Sequence, residues 1–438
     1  MTSLALRDKK LLWHPFTQEK KAQPPLAICR GEGSYVYDDT GKAYLDLISS
    51  WWVNLHGHAH PAIAKKIYEQ ALTLEHVLFA GCTHEPAVQL CERLQAILPK
   101  ALTRFFFSDD GSTCVEVALK MAYQYWHNQG QRRPLFISFD GGYHGDTVGA
   151  MSVGAHSGYH DVFKDFFFKS LSLPYPDTWD GDATVEEKEQ AALKALDALL
   201  EQHDKISALL VEPLVQGASG MRMCRPSFLK AVVERVRAHK ILVIFDEVMT
   251  GFGRTGTTFA LEQVGCVPDF LCLSKGLTGG FMPLALTVTT ADVYNAFLSD
   301  SWDQAFFHGH SYTANPLACA AALASLDLLQ ATSTQNAIRA IHQAHKEGLA
   351  LLLTGNAPIV HTRLRGTIAA FELTQPHQVR QQLIQNGLLI RPLDDTLYIL
   401  PPYSTTPEEL LGAYRSIQHI LTQASRGTEK KLAFRVKV

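Results

Sequence analysis

The chain has 438 residues, 46% of them hydrophobic and 19% charged, with a formal net charge of −3. At ~150 residues per domain this length allows two or three domains, enough to bury most of the unfolded surface without disulfide or metal staples. The charge excludes a general attraction to nucleic acid or acidic lipid, and no apolar run reaches the ~18 residues of a membrane-spanning helix, so neither partner is expected.

Taken in chain order, the opening "MTSLALRDKKLLWHPFTQ" has no signal-type apolar core. Residues 31–47, "GEGSYVYDDTGKAYLDL", predict a hairpin with Asp-Thr-Gly at its turn. "SSWWVNLHGHAHP" follows, with Trp51 and Trp52 side by side and His56, His58 and His60 at every second position. This stretch could start a core, hold a metal or face a substrate. Next come short runs rich in β-branched and aromatic residues, the pattern of buried strands: 104–107, 135–139, 208–212, 241–245, 269–274 and 284–289. Helical patterns lie between several of them, at 112–126, 185–202 and 226–239. Strand, helix and strand in repetition predict an α/β fold with a mostly parallel sheet. "PYPDTWDGDAT" (174–184) reads as an exposed loop. Beyond about residue 325 a helix precedes "GTIAAFEL" (366–373), then a helix, "GLLIRPL" (387–393) and "TLYILPP" (396–402), which predicts a separate, smaller α+β unit. The expected division is an N-terminal segment 1–60 that joins the small domain, a large domain 61–325 and a small domain 326–438, ending in the basic stretch "EKKLAFRVK". The eight cysteines form no C-x-x-C pair, and several lie in apolar runs, so reduced, buried thiols and a cytoplasmic location are expected.

Four places could carry chemistry. A buried strand runs into Asp246 and Glu247, where open parallel sheets bind ligands, although either acid could simply cap a loop. Lys275 ends a second buried run about one strand-helix-strand unit later. Partial desolvation there would lower its pKa and suit it to forming a Schiff base, but a snorkelling lysine fits as well. "FFFSDDGSTCVEVALK" places Gly111, Ser112 and Thr113 at a helix start, which offers a phosphate site or an ordinary cap. "FDGGYHGDT" sets Tyr143, with His144 and Asp146, in a glycine-rich turn where the ring could meet a flat ligand. Gly251, Gly253 and Gly256 match the dinucleotide fingerprint formally, but five residues separate them from the strand and two acids stand where a pyrophosphate would lie. In combination, a phosphate cradle, an aromatic face, a strand-end acid and a strand-end lysine are the parts needed to hold pyridoxal 5′-phosphate.

The motifs "GSTCVEVALKMA", "GGYHGDT", "VEPLVQG", "FDEVMTGFGRTG", "LSKGLTGG" and "HGHSYTANPLACAAALASL" make the chain resemble the class III (ω-type) aminotransferases of pyridoxal phosphate fold type I, over about residues 12 to 420. "WHPFTQ", "SSWWVNLHGHAHP", "MRMCRP" and "LLIRPLDDTLYILPPY" resemble most the members that serve biotin biosynthesis. Those members pass an amino group from S-adenosylmethionine to 8-amino-7-oxononanoate. The resemblance implies that Lys275 is the Schiff-base lysine, Asp246 pairs with the pyridine nitrogen and Tyr143 stacks on the ring. It implies that Gly111 and Ser112 hold the phosphate, with Ser311 reaching it from the partner subunit of a homodimer with shared active sites. Glu212 would be an active-site acid and Arg391 would bind the substrate carboxylate. Trp51, Trp52 and Tyr398 would line the substrate pocket, with Trp51 the first choice for the wall above the cofactor, and Asp146 and Gly309 would border it. No metal is implied. Two residues depart from the pattern. Asp110 precedes the phosphate site, where its carboxylate is expected to point away or cap the backbone, and Phe16 stands where some relatives carry a tyrosine. Sister enzymes acting on ornithine, GABA or another ω-amine, and relatives that use lysine as donor, remain alternatives. A metal-dependent hydrolase built on the three histidines is an alternative of another class, as is a non-catalytic regulator, although no DNA-binding extension is present.

Overall fold

Seven strands form the sheet that positions the site, and their sequences explain its depth. The computed structural model of the chain describes residues 3–155, 157–354, 359–373 and 376–435; the side chains of the basic C-terminal stretch lie outside the described residues. The strands are β1 (Ile28–Glu32), β2 (Tyr35–Asp38), β3 (Ala43–Asp46), β4 (Leu102–Ser108), β5 (Leu135–Phe139), β6 (Ser170–Leu173), β7 (Ile206–Val211), β8 (Val215–Gln216), β9 (Arg222–Met223), β10 (Leu242–Asp246), β11 (Phe270–Leu273), β12 (Ala285–Thr290), β13 (Ile359–Arg365), β14 (Ile368–Leu373), β15 (Leu388–Leu389) and β16 (Thr396–Ile399). The large sheet has the order β4-β12-β11-β10-β7-β5-β6. All neighbours are parallel except β12, which runs against both β11 and β4. All residues of β7, β10 and β11 are buried, as helices covering both faces require. Alternation divides them between two cores. Val243 and Phe245 face one, and Leu242 and Ile244 face the other, where Val115, Ala118 and Ala122 of the helix Gly111–Asn128 pack.

The expected central strands all form, and the helix Val185–Gln202 has the expected bounds. The expected hairpin is part of a three-stranded antiparallel unit, since β1 also pairs with β2. Edge strand β6 was not expected, because "SLSL" buries alternate residues and its serines hide the pattern. Other expectations are corrected. "GLLIRPL" contributes only the two residues of β15, which leave the other C-terminal strands and pair in parallel with β3, Leu388 opposite Leu45. Pro392, which has no N–H to donate, stands just beyond. The 174–184 stretch is not wholly exposed: Tyr175 is buried edge-on to Phe139 at 5.7 Å, and Thr178 N donates to Met223 O at 2.9 Å. Nor are all thiols buried. Cys29 and Cys82 are exposed, and all eight cysteines are free.

After the large sheet the chain forms the antiparallel sheet β13-β14-β16 and two long helices, Thr332–Leu353 and Pro407–Arg435. Between the helices, buried His345 accepts at Nδ1 from the Tyr414 hydroxyl (2.7 Å) and donates from Nε2 to Thr367 O (3.1 Å), and burial pushes its pKa down to about 3. Gly348 lets the tyrosine approach. Among the described residues, no single helix is long and apolar enough to cross a membrane. A Cβ on Gly348 would lie 2.1 Å from Tyr414 Cδ2. Gly348→Ala should therefore destabilise the protein: a helix-propensity gain of about 1 kcal/mol is outweighed by overpacking of about 1–3 kcal/mol or more. A lowered thermal midpoint is expected, and an unchanged or raised one would contradict this packing.

Candidate active site

Three titratable groups meet where three adjacent strands end. β10 finishes at Asp246, Glu212 follows the last residue of β7, and Lys275 lies two residues beyond β11. The parallel register sets Asp246 opposite Cys272, so the acid and the lysine open into one crevice. Asp246 is buried; His144 Nδ1 donates to its Oδ2 at 2.8 Å and Val248 N to its Oδ1 at 3.1 Å. Glu212 accepts from Tyr143 N (3.1 Å) and Gly217 N (2.8 Å). Burial pushes its pKa up to about 7, against the pull of His144. Burial also lowers the Lys275 pKa from the ordinary lysine value, while Asp246 and Glu212 oppose that shift. Lys275 has left-handed backbone (φ 44°), and its Nζ stands 4.6 Å from the centroid of the Trp52 ring.

The second corner is the start of the helix Gly111–Asn128. Its cap is Asp110, not Ser112: Asp110 Oδ1 accepts from Thr113 N at 2.9 Å, and the Thr113 hydroxyl completes a capping box. The departure at Asp110 thus has a structural use, and its carboxylate is engaged at the backbone. Ser112 Oγ is left to the crevice, accepting from Thr147 N at 2.9 Å. Glu116, one turn on, accepts from Gly149 N, Ala150 N and the Thr147 hydroxyl, which fixes the neighbouring helix Val148–Val153. A Cβ on Gly111 would come within 2.7 Å of Val248 Cγ1, and one on Gly145 (φ 119°) within 2.2 Å of Ser112 Oγ. Bare backbone is required at both, and it leaves first-turn N–H groups facing outward, the arrangement that suits a phosphate. With the partly buried amine and the buried acid across the crevice, the residues fit a phosphorylated pyridine aldehyde.

The walls are aromatic. Tyr143 stacks on His160 at 5.8 Å, and both its hydroxyl (3.0 Å) and His160 Nε2 (2.9 Å) donate to Asp146 Oδ1. The two indoles diverge. Trp52 is buried against Lys275 and donates from Nε1 to the Tyr398 hydroxyl at 3.0 Å. Trp51 lies under Arg391, whose Cζ is 4.3 Å from its ring. Trp52 faces the lysine and Trp51 faces the arginine. Phe16 meets Trp51 edge-on at 5.6 Å and Tyr159 at 6.4 Å, so the position filled by tyrosine in some relatives has a purely apolar contact here. The turn that separates the indoles is left-handed from Ser49 to Trp52 (φ 49°, 52°, 85° and 72°) without a glycine. Such backbone is unfavourable by roughly 1–2 kcal/mol per residue.

Gly309 and Ser311, the latter expected to act from a partner subunit, lie apart from this group in one chain. Gly309 and Ser311 are exposed on a loop that carries His310 to within 4.0 Å of Asp109, and among the described residues no contact ties either to Lys275. The three histidines have different partners: His56 pairs with Ser325 (3.1 Å), His58 donates to Asp46 (3.0 Å), and His60, edge-on to His56 at 6.4 Å, precedes the helix Pro61–Ala71. Among the described residues no group of three His, Cys, Asp or Glu could hold a metal. His144, Thr147 and His160 are neighbours of the site that sequence reasoning missed or left without a role; the only signal for the first two was their place in the Tyr143 turn, and His160 had none.

The raised pKa of Glu212 has a thermodynamic sign. Its contribution to stability is complete below about pH 4.5 and is lost as pH rises through about 7. The thermal midpoint of the native chain should therefore fall across that window relative to Glu212→Gln, which stays neutral. Parallel midpoints for the two proteins from pH 4.5 to 7 would refute the burial effect.

Comparison with known proteins gives this geometry a family. The family model described as "Aminotransferase class-III" matches residues 16–421. A relative from Synechococcus elongatus named adenosylmethionine-8-amino-7-oxononanoate aminotransferase is 52% identical over 421 residues, covering 94% of this chain and 98% of its own. One of the same name from Geobacter sulfurreducens is 40% identical, covering 92% and 94%. The crystal structure of the enzyme of that name from Methanocaldococcus jannaschii superposes with a TM-score of 0.88 at 35% identity, covering 96% and 98%. An amine transaminase from an uncultivated Pseudomonas species, solved in its PLP-bound form, gives 0.87 at 29% identity, covering 94% and 98%. The mostly parallel sheet is thus a shared scaffold, and this chain belongs to the class III aminotransferase family.

Proposed function

We propose that the chain transfers an amino group from S-adenosylmethionine to 8-amino-7-oxononanoate, giving 7,8-diaminononanoate, by a pyridoxal phosphate-dependent ping-pong reaction in biotin biosynthesis. The observation that carries this reading is the pair of cations on adjacent indoles: Lys275 deep against Trp52 and Arg391 against Trp51. An amine at the floor and a guanidinium further along an apolar wall match a substrate with a reactive carbonyl, a methylene chain and a terminal carboxylate. The same aromatic surface suits a sulfonium, which an indole face attracts by roughly 0.5–2 kcal/mol.

Gly111 and Ser112 would hold the cofactor phosphate, Tyr143 would cover the ring and Asp246 would face the pyridine nitrogen, with His144 keeping the acid oriented. When bound, pyridoxal 5′-phosphate supplies an electron sink for the carbanion formed next to the substrate nitrogen. Lys275 Nζ, with its pKa lowered by burial, takes the proton from that carbon and later returns one. Glu212, held by two backbone N–H groups, keeps Tyr143 in register with the strand end. Arg391 fixes the distal carboxylate of the keto acid, a bidentate contact an ammonium would not reproduce. The functional unit in this reading is a homodimer in which Gly309 and Ser311, exposed on one protomer, complete the partner's site.

Lys275→Ala should abolish the borohydride-reducible chromophore and transamination together; a reducible chromophore in that variant would refute the assignment. Arg391→Ala should raise KM for 8-amino-7-oxononanoate by about 10-fold or more, the scale of one charge-assisted contact worth ~1.5–3 kcal/mol, with little change in the half-reaction with donor. An unchanged KM would remove Arg391 from substrate binding. Donor identity is tested by adding S-adenosylmethionine, lysine, GABA and ornithine singly to the holoenzyme, with spectral conversion expected from the first alone.

A further inference from the structure

Asp46, the last residue of β3, has no place in the machinery assigned above, yet it is fully buried. Buried carboxylates ordinarily face a guanidinium or an ammonium. Asp46 instead turns toward the segment that follows it: Ile48 N donates to its Oδ1 (3.1 Å), and Ser50 N (2.7 Å) and the Ser50 hydroxyl (3.0 Å) donate to its Oδ2. The last donor is His58 Nε2, at 3.0 Å. His58 is itself held close, since a Cβ on Gly31 would lie 2.6 Å from its Cβ.

These bonds converge on Ser49–Trp52, four consecutive non-glycine residues with left-handed backbone. Isolated left-handed residues are common, but a run of four persists only where its surroundings over-determine it. Asp46 grips the run from its N-terminal side. At the other end the Arg254 guanidinium, buried and 5.1 Å from the Tyr403 ring, donates to Trp52 O (3.4 Å) and Asn54 O (2.9 Å). The Ser49 hydroxyl donates to Leu400 O at 2.7 Å. The result is functional in direction: adjacent indoles are sent to two different cations, Trp51 to Arg391 and Trp52 to Lys275.

We propose that Asp46, oriented by His58, is a positioning residue for substrate selection: it holds the left-handed turn that sets Trp51 beneath Arg391, and so sets affinity for the carboxylate-bearing acceptor rather than the rate of proton transfer. This rests on the reading that Arg391 takes the acceptor's carboxylate.

The test is a double-mutant cycle in the holoenzyme with Asp46→Asn and Trp51→Phe, reading KM for the keto acid, the single-turnover rate with donor, thermal midpoint and near-UV circular dichroism. Asn keeps the shape of Asp46 but turns an acceptor into a donor against Ser50 or His58. Each single variant is expected to raise KM for the keto acid about 10-fold, a larger change than its effect on the donor half-reaction. The double variant is expected to be no worse than the weaker single, because both act through the same indole. The milder His58→Gln, which keeps a donor, should shift KM in the same direction by less. Multiplying effects in the double variant, or equal losses in both half-reactions that follow the thermal midpoint, would overturn the proposal in favour of a general structural role. If Arg391→Ala leaves KM unchanged, the carboxylate assignment has failed by itself. The indole dichroism then decides: a loss on Asp46→Asn supports the clamp, and an unchanged band overturns it.

Discussion

A crevice at the ends of three parallel strands must hold an amine near two buried carboxyls. Asp246 ends β10, Glu212 directly follows β7 and Lys275 lies two residues beyond β11; these strands are neighbours in the sheet, so topology brings the three groups to one edge. Both acids are buried, and each group depends on a fixed neighbour: His144 for Asp246, two peptide N–H groups for Glu212, an indole face for Lys275. The rest of the site serves this arrangement. The Gly111 and Gly145 backbones approach because side chains there would collide with Val248 and Ser112, and aromatic rings form the walls.

The formal dinucleotide fingerprint illustrates how a motif can be occupied by structure alone. Gly253 (φ 98°) and Gly256 (φ 100°) lie under the C-terminal unit, one against Ile338 and Tyr403 and the other against Gly366. Arg254 between them is fully buried and bonds carbonyls of Pro401, Trp52 and Asn54. Glu247, upstream, is a helix-start acceptor for Ala260 N and Leu261 N, and burial raises its pKa to about 8. The glycines are therefore consumed by turns that bury an arginine, and no anion is needed to explain them.

Much of the fold was legible because buried parallel strands are continuous apolar runs: β5 and the helix Val185–Gln202 have the bounds their patterns imply. Strand-end chemistry was legible for the same reason, since Asp246 and Lys275 interrupt or follow such runs. What escaped notice depends on distant partners. β6 hides behind serines, and β15 exists only because β3 accepts it, more than three hundred residues away in sequence. No residue type announces the left-handed turn at Ser49–Trp52, because its cause lies in Asp46, Arg254 and Leu400, so the order of the two tryptophans could not be read from their adjacency. His144 and His160 acquire roles only once Asp246 and Asp146 are near.

The ladder between β3 and β15 also carries a consequence in time. Leu47 N donates to Leu389 O, Leu400 N donates to Leu47 O, and the Ser49 hydroxyl donates to Leu400 O. A ribosome adding ~5–20 residues per second needs roughly 20–70 s to travel from one side of these bonds to the other. Throughout that interval the segment bearing both tryptophans lacks the strand and the carbonyl it leans on. The first fifty residues are made early and finished late, and the aromatic wall of the crevice is therefore among the last parts of the nascent enzyme to take shape.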